Sequence, residues 1–134
     1  LCRSSAASDV YKRQVVYSGY ISSAKKSTAK SLMAQIALAQ SEQYANSGSY
    51  FKTDFTPNCQ PLNPIDKEEQ LVAIEIALFD GDQTIPRDGN YGYCIAGEDA
   101  NNFVVIASEF SGTDLTGCTF AIGRRGAIEA TDDC

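Results

Sequence analysis

Residues 17–46, YSGYISSAKKSTAKSLMAQIALAQSEQYAN, constrain the fold more than any other stretch of the chain. They read as one long helix. Apolar or small residues recur at Tyr17, Ile21, Ala24, Thr28, Leu32, Ile36, Ala39 and Gln43, in the three- and four-residue steps of a helix face. The run has no Pro, and its only Gly is Gly19; from Ala24 onward Ala, Leu, Lys, Gln and Met dominate, all good helix formers. Asn46-Ser47-Gly48 is a stop signal, because Gly48 can take the left-handed position past the last turn. About thirty residues make a rod of ~45 Å, whereas a domain of this chain length is roughly 35 Å across. The helix is therefore expected to overhang its own domain, and an overhanging helix calls for another helix, a membrane, or both.

The front of the chain stands apart. Ser4 to Gln14, SSAASDVYKRQ, resembles one translated reading frame of a transposase-type sequencing adapter. Residues 1–14 are therefore set aside as a non-native, adapter-like segment; the alternative is a genuine basic arm. Without Arg3, Lys12, Arg13 and Asp9 the 11 basic and 17 acidic residues become 8 and 16 (11 − 3 and 17 − 1), so the net charge moves from −6 to −8. Without Cys2, four of the 5 cysteines remain. Val15 and Val16 could close an apolar run lying upstream.

This balance argues against sequence-independent nucleic-acid binding by the body of the domain. The chain has no His, which removes the commonest general base and metal ligand. It has no nucleophile motif, no phosphate-cradling Gly loop and no paired carboxylates on a recognisable scaffold. Neither an enzyme nor a cofactor is expected. Asp80, Asp82, Thr84 and Asp88 alternate as calcium ligands do, but Ile85 stands where an EF-hand loop needs Gly and Tyr91 where it needs Glu. An ordinary turn is the better reading, and no metal is expected.

Cys59, Cys94, Cys118 and Cys134 lack CxxC spacing, which makes zinc and thioredoxin-like readings poor. An even set in a small, turn-rich domain favours two disulfides and an oxidising compartment. Three connectivities are open, and four buried thiols remain the alternative. Cys59–Cys94 with Cys118–Cys134 is favoured, since the second bond closes the C-terminal tail onto a strand.

After the helix, residues 47–64 read as a loop punctuated by Pro57, Pro61 and Pro64, with Tyr50, Phe51 and Phe55 as buried pins. Residues 65–80 are ambiguous. Asp66 and Glu69 have capping-box spacing, and Leu71, Ile74 and Leu78 suit a helix over 66–79; Ile74, Ile76 and Leu78 equally suit an edge strand. Strands are expected at Tyr91–Ala96, Phe103–Glu109 (the most apolar, hence central), Cys118–Ile122 and Ala127–Ala130. Turns are expected at Asn101-Asn102, over Ser111–Thr116 and at Gly123-Arg124-Arg125-Gly126. The fold class is therefore α+β: a long N-terminal helix (15–46), a loop and short helix (47–90), and a three- to four-stranded antiparallel sheet (91–131) rolled on one face of the helix. Leu32, Met33, Ile36 and Tyr44 are the expected buried helix positions.

Helix and sheet together resemble a type IV pilin of the type IVa kind. The resemblance rests on the tyrosine-rich start, the Ala/Lys/Ser middle, SLMAQIALAQ, and Asn46-Ser47-Gly48-Ser49-Tyr50. DGNYGYCIAG followed by NNFVVIAS resembles the first two strands of that family's sheet, and Cys118 with Cys134 resembles the disulfide bounding its C-terminal loop. The resemblance covers residues 15 to 134. It implies a structural subunit that is anchored in the inner membrane, then polymerises with other pilin subunits into an extracellular filament for adhesion, motility or DNA uptake, meeting host surfaces or DNA. It also implies that a leader, a cleavage site and roughly two dozen apolar residues belong ahead of Val15, where the adapter-like stretch stands.

The residues to which subunit contacts are assigned are Tyr17, Tyr20, Ile21, Lys25, Lys26, Lys30, Arg124 and Arg125. The three lysines could pair with acidic groups on neighbours or simply solvate a helix face. The two arginines could meet DNA phosphates or an acidic neighbour, or serve only as a polar turn. The rival readings are a type II secretion pseudopilin and a secreted, monomeric, disulfide-stapled binding module.

Overall fold

The computed structural model describes the backbone of residues 6–64, 67–87, 90–111, 114–131 and 134, with side chains from residue 24 onward, residue 114 excepted. Its elements are α1 (Ala6–Ser47), α2 (Glu69–Leu78), β1 (Tyr91–Ala96), β2 (Val104–Ser111), β3 (Asp114–Gly123) and β4 (Ile128–Ala130). The architecture is α+β, one long helix packed on a four-stranded antiparallel sheet.

Helix α1 has 42 residues and starts well ahead of the expected position 15. Residues 6–14 contain neither Gly nor Pro, so nothing local interrupts the helix there. It ends as expected: Gly48 has φ +80° and donates its N–H to the Tyr44 carbonyl at 2.8 Å, a left-handed cap.

The buried line on α1 runs through Ala29, Leu32, Met33, Ile36 and Gln40. Its phase differs from the expected stripe. Thr28 is exposed, while Ala39 and Gln43 are only half-buried. Small Ala, Ser and Thr side chains occur all round this helix, so periodicity alone left its rotation loosely determined. Tyr44 is also not in the core. It is 38% exposed, stacks on Tyr50 with ring centroids 4.7 Å apart, and donates to Asn101 Oδ1 at 3.1 Å.

The ambiguous stretch is helical. Leu71 and Ile74 of α2 are buried, and Leu78 packs against the core. Ile76 is 65% exposed, as the outward face of an amphipathic helix should be and a core strand residue should not. Glu68 occupies the N-cap without a side-chain cap bond; Asp66 lies outside the described residues.

The sheet order is β1-β2-β3-β4, all neighbours antiparallel. Strand β2 is interior as expected, but the loop expected over Ser111–Thr116 is much tighter: Ser111 pairs with Asp114 and Phe110 with Leu115. A bulge lies between Ser108 and Phe110, adding local twist. The β3–β4 hairpin closes with Gly126 N–H on the Gly123 carbonyl at 3.0 Å, with Gly126 at φ +81°. Tyr93, Ile95, Val105, Ala107, Phe120 and Ile122 alternate onto one face, as the register requires. They form a single core with Leu32, Met33 and Ile36 of α1 and with Leu71 and Ile74 of α2. Each large side chain there stabilises the fold by about 1.5–3 kcal/mol.

Every residue of β1 is buried, because the 47–64 loop covers its outer side and its free edge. Thr53 and Asp54 donate their N–H groups to the Ile95 carbonyl at 2.9 and 3.1 Å, and Ile95 N–H donates to Thr53 Oγ1 at 2.9 Å. This satisfies a sheet edge that would otherwise be open. The disulfide Cys59–Cys94 fastens the same loop to β1, and Cys118–Cys134 joins the C-terminal end to β3. Tyr50 and Phe51 pack against the core, but Phe55 does not pin the loop; it is 75% exposed, its place taken by hydrogen bonds and the disulfide.

Candidate functional site

Two places gather the residues singled out above: the N-terminal part of α1 and the tip of the β3–β4 hairpin. Tyr17, Tyr20 and Ile21 lie on α1, with side chains outside the described set. From Val15 to Ser47, at 1.5 Å per residue, α1 is about 50 Å long, still longer than the roughly 35 Å breadth of a domain this size. Among the side chains described, its buried line begins at Ala29. The helix is thus both the wall of the core and a rod longer than the core needs.

The three lysines prove unequal. Lys26 Nζ donates to the Cys134 backbone oxygen at 2.8 Å. Lys30 Nζ sits 5.1 Å from the centroid of the Phe120 ring, a cation–π contact. Both serve their own domain, holding helix, tail and β3 together. Among the described residues Lys25 has no such partner, so it is the lysine free for another molecule.

At the hairpin tip Arg124 Nη1 donates to the Asn101 carbonyl at 3.0 Å, tying the tip to the β1–β2 turn. Among the described residues Arg125 has no acceptor and no carboxylate, and both arginines are exposed. They line an open groove of about 520 Å³ on the outer face of β3 and β4.

The calcium-like run behaves as a turn. Asp80 and Gly81 have φ of +55° and +85°, and Thr84 N–H bonds the Asp82 carbonyl at 2.9 Å. Asp88 lies outside the described residues, and among the described residues no cluster of three or more metal-ligating side chains forms.

Two buried polar arrangements escaped the sequence reading. The first is Gln40, fully buried and bonded to both backbone groups of Phe51. The second is Glu75, buried and held by Arg87: Nη1 to Oε2 at 2.7 Å and Nη2 to Oε1 at 2.8 Å. Ile85 N–H also donates to Glu75 Oε2 at 2.9 Å. Burial pushes the Glu75 carboxyl up, but the Arg87 and backbone hydrogen bonds outweigh it, and the net shift is downward. The Arg87 guanidinium is shifted up, first by its bond to Glu75. Glu75 interrupts an apolar run between Ile74 and Ile76, whereas Gln40 opens the polar stretch Gln40-Ser41-Glu42-Gln43 and carries no such local mark. For Glu75 that interruption was the available signal.

At the bulge, burial and then the Glu109 carboxylate raise the Tyr91 hydroxyl. Tyr91 donates to Glu109 Oε2 at 3.3 Å, and Thr116 Oγ1 to Glu109 Oε1 at 2.9 Å. This cluster braces β1 to β3 beside the Cys118 sulfur, 3.9 Å from the Tyr91 hydroxyl.

Among the described residues no helix is long and apolar enough to cross a membrane. No protein-family model matches the chain, and neither a curated protein nor a solved structure is significantly similar to it.

Proposed function

We propose that the chain carries the globular head of a type IV pilin, a structural subunit that polymerises through its N-terminal helix into an extracellular filament. One observation carries the reading: among the side chains described, the buried stretch of α1 runs from Ala29 to Gln40, and the helix backbone continues well ahead of it. A rod with a wall at one end and spare length at the other is suited to packing against copies of itself. An apolar continuation ahead of Val15 would rest in the inner membrane before assembly and against sister helices afterwards. Head-to-tail contacts that do not close then generate a helical polymer rather than a ring. The two disulfides suit a head that must stay folded outside the cell.

In this reading Tyr17, Tyr20 and Ile21 meet neighbouring helices, and Lys25 meets an acidic group on a neighbouring head. Lys26 and Lys30 are assigned to the subunit's own fold.

The test is to express the natural gene, including the coding sequence upstream of Val15, beside a pilus assembly machinery. Single cysteines at positions 17, 20 and 21 then report helix neighbours by cross-linking, and electron microscopy reports filaments. Filaments with α1–α1 cross-links support the proposal. A cleaved secretory signal upstream, with a protein that stays monomeric, sinks it and favours a secreted, disulfide-stapled module. Short filaments formed only with secretion components point to a pseudopilin instead.

A further inference from the structure

We propose that the groove beside Arg124 and Arg125 binds an acidic peptide segment in extended form. The groove exists because its floor is built from Ala121, Gly123 and Ala127, which leave about 520 Å³ open over the outer face of β3 and β4. That volume falls in the range of ligand clefts. The guanidinium pair stands at the tip end, and Glu129 pairs across the ladder from Ala121, two residues back from Gly123 and so about 7 Å along the strand. The groove is therefore bipolar. An anion is favoured at the tip and disfavoured at Glu129, which sets the direction in which a charged peptide can lie.

Four of the domain's other cations are engaged within it, and among the described residues Lys25 and Lys67 are not. Arg87 is held in the Glu75 pair. Lys26 is bonded to Cys134 and Lys30 faces Phe120. Lys52 is buried, with Nζ 3.5 Å from the Tyr50 carbonyl. On a chain of net charge −6, Arg124 and Arg125 are adjacent cations with most donors unused. Arg124 gives one N–H to Asn101, and Arg125 gives none among the described residues. A guanidinium presents a planar fork that matches a carboxylate. The volume of about 520 Å³ and the small side chains of the floor leave room for a chain of residues rather than a lone inorganic ion. Open backbone at β4, an edge strand of three exposed residues, adds hydrogen-bonding groups for an extended chain.

The experiment is fluorescence anisotropy on the full chain with its disulfides intact. The probes are a labelled Asp/Glu-rich hexapeptide, its Asn/Gln counterpart and a short single-stranded oligonucleotide. Saturable binding of the acidic peptide is expected, weakened about tenfold by Arg125→Ala. Ala121→Leu, which fills the floor without touching a charge, should weaken it by a similar factor. Circular dichroism and disulfide mapping confirm that both variants are folded. No saturable binding, equal binding of the neutral peptide, native-like binding by Ala121→Leu, or tighter binding of the oligonucleotide overturns the assignment. None of these outcomes depends on whether the chain forms filaments.

Discussion

The side chain of Gln40 and the backbone of Phe51 bond each other in both directions: the amide nitrogen donates to the Phe51 carbonyl at 2.6 Å, and the amide oxygen accepts the Phe51 N–H at 2.8 Å. Gln40 is fully buried, so this clasp fastens the 47–64 loop to the helix where water cannot substitute. Removing the side chain leaves two backbone groups without partners. Gln40→Ala should destabilise the domain by about 2–3 kcal/mol. Gln40→Glu should cost at least as much, because it turns a donor into a carboxylate facing a carbonyl. Urea denaturation midpoints check both, and a Gln40→Ala domain as stable as the parent would show the clasp to be dispensable.

Arg87 is partly exposed, but the Glu75 side chain it covers is only 4% exposed. Arg87→Met should therefore cost about 3 kcal/mol, the low end for stranding a buried charge. Replacing both partners by Met should cost less than Arg87→Met alone.

The same pair predicts a pH dependence. The folded Glu75 carboxyl lies below its unfolded value of 4.5, so its contribution to stability is fully present above that value. It is lost as pH falls from about 4.5 through the folded pKa. In Arg87→Met the guanidinium's bonds and charge are gone and only the backbone donors remain against burial, the largest single influence, so the carboxyl should titrate above 4.5 instead. Carboxyl NMR titration of the two proteins should show opposite shifts; equal shifts would refute the account.

Gly92 faces the outer side of β1 beneath the loop, and a Cβ there would collide with the Leu62 carbonyl oxygen and lie 3.0 Å from the Phe110 ring. Backbone cannot swing aside as a long side chain can. Gly92→Ala should thus destabilise by about 3 kcal/mol. Gly123→Ala, whose Cβ would sit an ordinary 3.5 Å from the Phe103 carbonyl oxygen, should change stability far less. Thermal melts of the two variants should separate clearly.

The disulfides close loops of 35 and 16 residues. Chain entropy then assigns about 4 kcal/mol to Cys59–Cys94 and about 3 kcal/mol to Cys118–Cys134. Hydrogen exchange distinguishes them further. Cys134→Ser should lose protection around β4 and Thr131, whereas Cys59→Ser should loosen the loop along β1. Peptide mapping of unreduced protein should recover both bonds; four alkylatable thiols at these positions would contradict them.

Much of this was legible in local sequence. An unbroken helix-forming run with Gly48 at its end needs no tertiary information to be recognised, because propensity and capping act within a few residues. The same holds for Tyr91–Ala96 and for the Gly123–Gly126 turn, where alternation and turn chemistry coincide. Other features depended on what lies across the core. The rotation of α1, the exposure of Tyr44 and Phe55, and the choice of helix for Glu69–Leu78 follow from which faces the sheet offers for burial. Gln40 looks like the start of a polar stretch and Glu75 like a flaw in an apolar run until Phe51 and Arg87, 11 and 12 residues away in sequence, are placed against them. The chain by itself determined its elements and their order, the state of Glu69–Leu78 excepted, since those arise from short-range forces. Only the tertiary structure decided which polar groups could be buried and which cations were left free, because both depend on partners brought together by the packing.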